Sequence, residues 1–216
     1  TMVTADETDE LGSVRAAIFI APFVEEAAKA TILFLLAILV RHRLLSVIQM
    51  VTMAGLSAVG FAVVEDIVYY VRMYLYGSLA YGVNADGALR QIFYLRGLLT
   101  CWGHPLFTTF TAIGVGVALR NRSKVVRVVA PLAGYCFAVC AHMGFNGSQS
   151  VGVSTGLLIA VGAFLIVFLL LRYIRLALAE SRQMRARLQD FVSNGWLGVH
   201  DPIMFSRYRA RLKLIC

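Results

Sequence analysis

Charge is what this sequence has least of. Only 15% of its 216 residues are Asp, Glu, Lys or Arg, against 59% hydrophobic residues, and the mean hydropathy is +0.75. Soluble domains carry about 25% charged residues, so an ordinary water-soluble fold is excluded. Cysteine is sparse too. Cys101, Cys136, Cys140 and Cys216 lack the spacing of a zinc or dithiol redox site, and three of them sit in apolar stretches, where they read as small hydrophobes. A signal-peptide pattern is missing. The chain opens at Thr1, which leaves open a fragment truncated at the N-terminus.

What is present in their place is a series of apolar runs, several longer than the ~20 residues needed to cross a bilayer core. The expected fold is all-α, a polytopic transmembrane helix bundle of about five spans. A net charge of +8 would suit a nucleic-acid partner, but the basic residues fall in short loops and a tail rather than on one face. That is the positive-inside pattern, so the expected partner is the lipid bilayer and no nucleic acid.

Residues 1–14 carry Asp6, Glu7, Asp9 and Glu10 and read as a polar lead-in; residues 15–178 read as the helix bundle, and 179–216 as a basic tail. The first span is expected over about Arg15 to Val40, ending at Arg41-His42-Arg43. The second covers Leu44 to Tyr76, with Gly55 and Gly60 offering close helix contact and Tyr69, Tyr70, Tyr74 and Tyr76 forming an interfacial belt around Arg72. Residues 77–91 read as loop. Span three starts at Ile92 or Gly97 and runs to Leu119, interrupted by Gly103-His104-Pro105, where the proline marks a helix start or a kink. Span four is Val125 to Asn146; span five runs from Val151 to about Leu171 and continues as a basic helix. Most of the 20 lysines and arginines lie at 41–43, at 120–127 and in the tail. These fall on one side of five alternating spans, and that side is cytoplasmic. The expected location is the cell membrane, multi-pass, with a cytoplasmic C-terminus.

Inside those runs sit ionisable residues that hydrocarbon tolerates only at a cost of roughly 2.5–3.5 kcal/mol each, unless they face protein or water and find partners. Glu25 and Glu26 lie about ten residues, or ~15 Å, below the outer end of span one. Glu65 and Asp66 lie about 10 Å below Arg72 on span two. His104 is seven residues below Gly97, and His142 five below Gly147, with Asn146 one turn above it on the same face. Four helices thus bring ionisable groups to one outer depth, which the mutual satisfaction of buried polar groups requires.

Lys29, three residues from Glu26 and four from Glu25, can neutralise either carboxylate. A buried carboxylate beside another suits general acid–base work; histidines at that depth can share a proton, and Asn146 is the kind of neutral donor that stabilises an oxyanion. No serine or cysteine stands beside a base as a nucleophile, so water activated by a carboxylate is the economical choice. Each residue also has a plainer reading: Glu25 and Glu26 as a salt-bridge cluster with Lys29, Asp66 satisfying a neighbour, His104 bonding the backbone at Pro105, His142 and Asn146 as interhelical glue.

These residues also carry a resemblance. Glu25-Glu26-x-x-Lys29, Phe61-x-x-x-Glu65 and His142-x-x-x-Asn146, with a His104-bearing helix between them, resemble the motifs of PrsW-type intramembrane proteases, relatives of the CAAX-processing proteases, over roughly residues 15–170. Lysine in the first motif and glutamate after Phe61 favour the PrsW-like group over prenyl-protein processing. The resemblance implies a glutamic-type endopeptidase acting on a membrane-protein substrate near the outer face; in the PrsW group that substrate is an anti-sigma factor. By carry-over, Glu25 or Glu26 activates water with support from Glu65 and His104, while His142 and Asn146 steady the oxyanion. The sequence departs from the family in having no helices before the first motif.

No cofactor is required by this reading, although carboxylates and imidazoles at one depth also make a metal site. The HExxH signature of zinc proteases is absent. A non-catalytic membrane module or a proton relay would use the same residue types, but a transporter-like inverted repeat is not seen. The oligomeric state cannot be read from the sequence.

Overall fold

Apolar side chains on the outside and charged ones within distinguish this bundle from a soluble one. Leu56, Val64, Ile38, Phe137 and Phe164 are each about two-thirds exposed, whereas Glu26, Lys29, Thr108, Thr111 and His142 are buried. Lipid tails solvate such an exterior, and the interior polar groups then have only each other. The computed structural model describes residues 12–43, 46–79, 84–207 and 210; residues 1–11 of the polar lead-in expected at 1–14 and the last part of the basic tail lie outside them.

The described residues are predominantly helical, without strands. A π-helical turn, Ala16–Ile20, leads into α1 (Ala21–Leu39). Pro22 in its first turn needs no hydrogen-bond donor there, so the proline starts the α-helix rather than breaking it. There follow α2 (Val47–Leu79) and α3 (Ala85–Ile92), the latter continuing as a π-helical segment, Phe93–Leu99. After these come α4 (Gly103–Arg120), α5 (Lys124–Ser150), α6 (Thr155–Ser193) and the short α7 (Asp201–Ser206).

Two expectations are corrected here. Of the loop expected at 77–91, residues 77–79 belong to α2 and 85–91 are helix, because the Asn84 side chain accepts hydrogen bonds from the Asp86 and Gly87 amides and caps the first turn. Gly55 and Gly60 have nothing within 4 Å of where a Cβ would stand, so they make no close helix contact. The close crossing is elsewhere. A Cβ on Gly114 would meet the Ala130 carbonyl, and one on Gly134 would stand 2.5 Å from the Phe110 carbonyl, so α4 and α5 meet backbone to backbone. At Gly103-His104-Pro105 the structure chooses the helix start, which puts His104 in the first turn of α4.

Three helices, α2, α5 and α6, are long and apolar enough to cross a membrane on length and composition alone. The other two of the five expected spans are α1, with 19 residues, and α4, with 18, each about 27–29 Å long at 1.5 Å per residue. Both fall outside that set for local reasons. α1 carries Glu25, Glu26 and Lys29, and α4 carries His104 and ten buried residues enclosed by its neighbours. Below this polar layer Leu33, Met50, Ala54, Ala112 and Val115 form a fully apolar core between α1, α2 and α4. The chain divides into two compact units, 1–166 and 167–216. All of the candidate site residues belong to the first. In the second, Ser181 donates a hydrogen bond to the Ser206 carbonyl (2.6 Å), tying α7 to α6.

Candidate functional site

Helical spacing puts Glu26 and Lys29 on the same face of α1, and both side chains are completely enclosed. Lys29 Nζ donates to Glu26 Oε1 at 2.8 Å, lies 3.5 Å from Glu25 Oε2 and 2.7 Å from His104 Nδ1, and stands 4.5 Å above the Phe61 ring. The other Glu26 oxygen accepts from Thr108 at 2.9 Å, and His142 Nδ1 lies 3.1 Å from Oε1. Every acceptor site that matters on Glu26 is therefore taken by α1, α4 or α5. Glu25 is different. Its side chain is 16% exposed, it lines a cavity of about 390 Å³, and its closest cationic neighbour is 3.5 Å away.

The two histidines bracket Glu25. Its Oε2 lies 3.7 Å from His142 Nε2 and 3.9 Å from His104 Nδ1. Each imidazole turns its other nitrogen to a different carboxylate: His142 Nδ1 to Glu26, and His104 Nε2 to Glu65 Oε2 at 3.0 Å. The rings are held by packing as well. His142 stacks on Phe107 with centroids 4.9 Å apart, and the two imidazoles meet edge to face at 5.3 Å.

Of the six residues that the sequence singled out, Glu25, Glu26, Glu65, His104 and His142 form one contiguous network. Asn146 lines the same cavity, but its amide donates to the Ala17 carbonyl at 2.9 Å, strapping α5 to the π-helical turn before α1. Asp66 satisfies a neighbour, as its plainer reading expected, and that neighbour is a residue that the sequence reading missed. Arg96, in the π-helical segment, holds Asp66 Oδ1 at 2.8 Å and Glu65 Oε2 at 2.9 Å, with its guanidinium 3.9 Å over the Tyr69 ring. Tyr69 is thus part of the cavity wall. Charge balance was the available signal: four carboxylates at one depth with a single lysine require a second cation.

The donor set also bears on metal binding. Glu25, His104 and His142 each offer a ligand atom within 4.8 Å of the other two. Two imidazoles and a carboxylate suit a divalent transition metal, and a carboxylate on the far nitrogen of each ligating histidine is the usual supporting shell. The residues therefore fit such an ion, with one competitor: Lys29 already holds His104 Nδ1.

Against known proteins, no curated protein and no solved structure matches the chain. One family model does, that of the PrsW family intramembrane metalloproteases, and it covers residues 1–173. An all-helical bundle with an apolar exterior, a buried Glu–Lys–His network around a cavity, and this match over most of the chain lead to one assignment: the protein is a membrane protein that belongs to the PrsW family of intramembrane proteases.

Proposed function

We propose that the protein hydrolyses a peptide bond of a membrane-protein substrate near the outer face of a cell membrane, with water activated at Glu25. The observation that carries this reading is the position of Glu25 Oε2, facing the cavity between His142 Nε2 and His104 Nδ1. Glu26, fully engaged and without exposure, is the anchor rather than the base.

In the proposed step Glu25 takes a proton from water as the oxygen attacks the scissile carbonyl carbon. The amide N–H of Asn146 that Ala17 does not use, together with His142, steadies the resulting oxyanion. Glu25 then returns the proton to the amine nitrogen as the C–N bond breaks. Glu65 keeps His104 oriented throughout. A divalent metal held by Glu25, His104 and His142 would supply Lewis acidity to the same carbonyl and lower the pKa of the water. The ligand set and its supporting carboxylates favour that metal-assisted form, whereas Lys29 on His104 Nδ1 favours Glu25 acting alone.

The positive-inside distribution orients the bundle with its C-terminus in the cytoplasm and multiple passes through the bilayer, which turns the cavity outward. A membrane-anchored anti-sigma factor is the first substrate to test. Cleavage of a transmembrane reporter in proteoliposomes by Glu25→Gln is expected to fall about 10²–10⁴-fold with insertion unchanged; wild-type cleavage by that variant would remove the proposed base. Loss of activity with 1,10-phenanthroline, restored by zinc, selects the metal-assisted form, and indifference to it selects Glu25 alone.

A further inference from the structure

Arg96 lies outside every motif that marks the family resemblance, yet it makes more polar contacts with the network than Asn146 does. Its position depends on local backbone. The segment Phe93–Leu99 is π-helical, a form found mostly as short insertions at functional sites. Gly97 lets it close on α2, since a Cβ there would stand 2.7 Å from the Tyr70 hydroxyl. The guanidinium then reaches Glu65 and Asp66 at once, 2.9 and 2.8 Å away, and rests on Tyr69.

What Arg96 holds bears on the histidine. Glu65 Oε2 lies 2.9 Å from Arg96 Nη2 and 3.0 Å from His104 Nε2. On the other side of the ring, Lys29 has only protons to give, so His104 Nδ1 accepts and the imidazole proton sits on Nε2, toward Glu65. Nδ1 is the nitrogen that faces Glu25. We infer that Arg96 is a positioning residue: by clamping Glu65 it fixes the orientation of the His104 ring, whose tautomer Lys29 sets, so that Nδ1 is presented to the Glu25–His142 centre. It touches no reacting atom and acts through Glu65. The inference rests on the proposed reaction centre, and a test that does not need cleavage separates the two.

That test is imidazole ¹⁵N NMR on the full chain, histidine-labelled, in lipid nanodiscs. The chain has four histidines, and the His104 pair is assigned by its loss in His104→Gln. The expected wild-type signal is a single neutral form protonated at Nε2. Arg96→Gln should leave the proton on Nε2 but move the Nε2 resonance toward that of a donor with no carboxylate beside it, Glu65→Gln should do the same, and adding Arg96→Gln to Glu65→Gln should change nothing further. Arg96→Lys, which keeps the charge but not the two-pronged geometry, should recover part of the shift. If Arg96→Gln does not insert, the Glu65→Gln and Arg96→Lys pair carries the test. A His104 signal unmoved in Arg96→Gln while its Tm falls would make Arg96 a structural tie only and overturn the inference, as would additive shifts in the double variant. Reporter cleavage measured alongside should fall at least tenfold in Arg96→Gln and recover in Arg96→Lys; wild-type cleavage with an altered His104 signal would also overturn the role in the reaction.

Discussion

Replacing Lys29 by methionine isolates what the buried charge contributes, because the chain length and most of the volume are kept while the ammonium is removed. Lys29 and Glu26 are paired at 2.8 Å with both side chains at 0% exposure, so little solvent screening softens the loss. Breaking a buried pair by removing one partner costs about 3–5 kcal/mol, because the other charge stays behind uncompensated. Glu26 keeps the Thr108 hydroxyl and the His142 ring, which sets the expectation at the lower end, about 3 kcal/mol. For a domain of this size that is a fall in Tm of roughly 6–12 °C. The double variant Glu26→Gln/Lys29→Met leaves no orphaned charge, and removing both members of a buried pair is often close to neutral; it should regain more than half of the loss. Thermal unfolding in detergent can be followed by fluorescence from Trp102, whose ring meets Phe145 beside the cavity at 5.8 Å. A Lys29→Met protein as stable as wild type, or a double variant less stable than the single one, would refute the view that this pair is a mutually dependent buried ion pair.

Other perturbations separate packing from chemistry. Gly114→Ala should destabilise the bundle by about 1–3 kcal/mol, because its Cβ meets the Ala130 carbonyl across the α4–α5 crossing. Gly55→Ala should be neutral or stabilising by up to about 1 kcal/mol in the same unfolding assay, since that site opens on empty space. Thr108→Val deletes the hydroxyl that donates to Glu26 Oε2 and should cost about 1.5–3 kcal/mol, the range for a hydrogen bond to a charged group; an unchanged Tm would contradict the burial of that carboxylate. In equilibrium dialysis with zinc, His142→Gln should lower metal uptake while Asn146→Ala leaves it intact, because only the former belongs to the converging donor set. Equal uptake by both variants would discard the metal-assisted form.

Much of this site was readable in advance because bilayer depth is a one-dimensional coordinate. A helix rises 1.5 Å per residue, so counting from span ends placed Glu25, Glu65, His104 and His142 at one level before any packing was known, and the four do meet. Rotation about each helix axis is the coordinate that counting lacks. Glu25 and Glu26 are neighbours in sequence, and only the structure shows that one faces the cavity while the other is enclosed by Thr108 and His142. Gly55 and Gly60 failed for the same reason: small residues allow close contact, but which face meets a neighbour is set by the partner helix. The close contact went to Gly114 and Gly134, where α4 and α5 cross backbone to backbone.

Arg96 was missed for a different physical reason. Its segment, Phe93–Leu99, reads as ordinary apolar helix, and a π-helical register leaves no signature in periodicity. Electroneutrality would have found it. Glu25, Glu26, Glu65 and Asp66 bring four carboxylates into a low-dielectric interior where isolated charge is worth several kcal/mol. One lysine cannot balance them, and two histidines can do so only by taking up protons. Arg96, always charged and able to bridge two carboxylates at once, removes half of the imbalance at Glu65 and Asp66. That leaves Lys29 to Glu26, and leaves Glu25 as the one carboxylate without a cation within 3 Å. The incomplete neutralisation of Glu25 is therefore a consequence of how the other three are paired, and Glu25 carries it on the wall of the cavity.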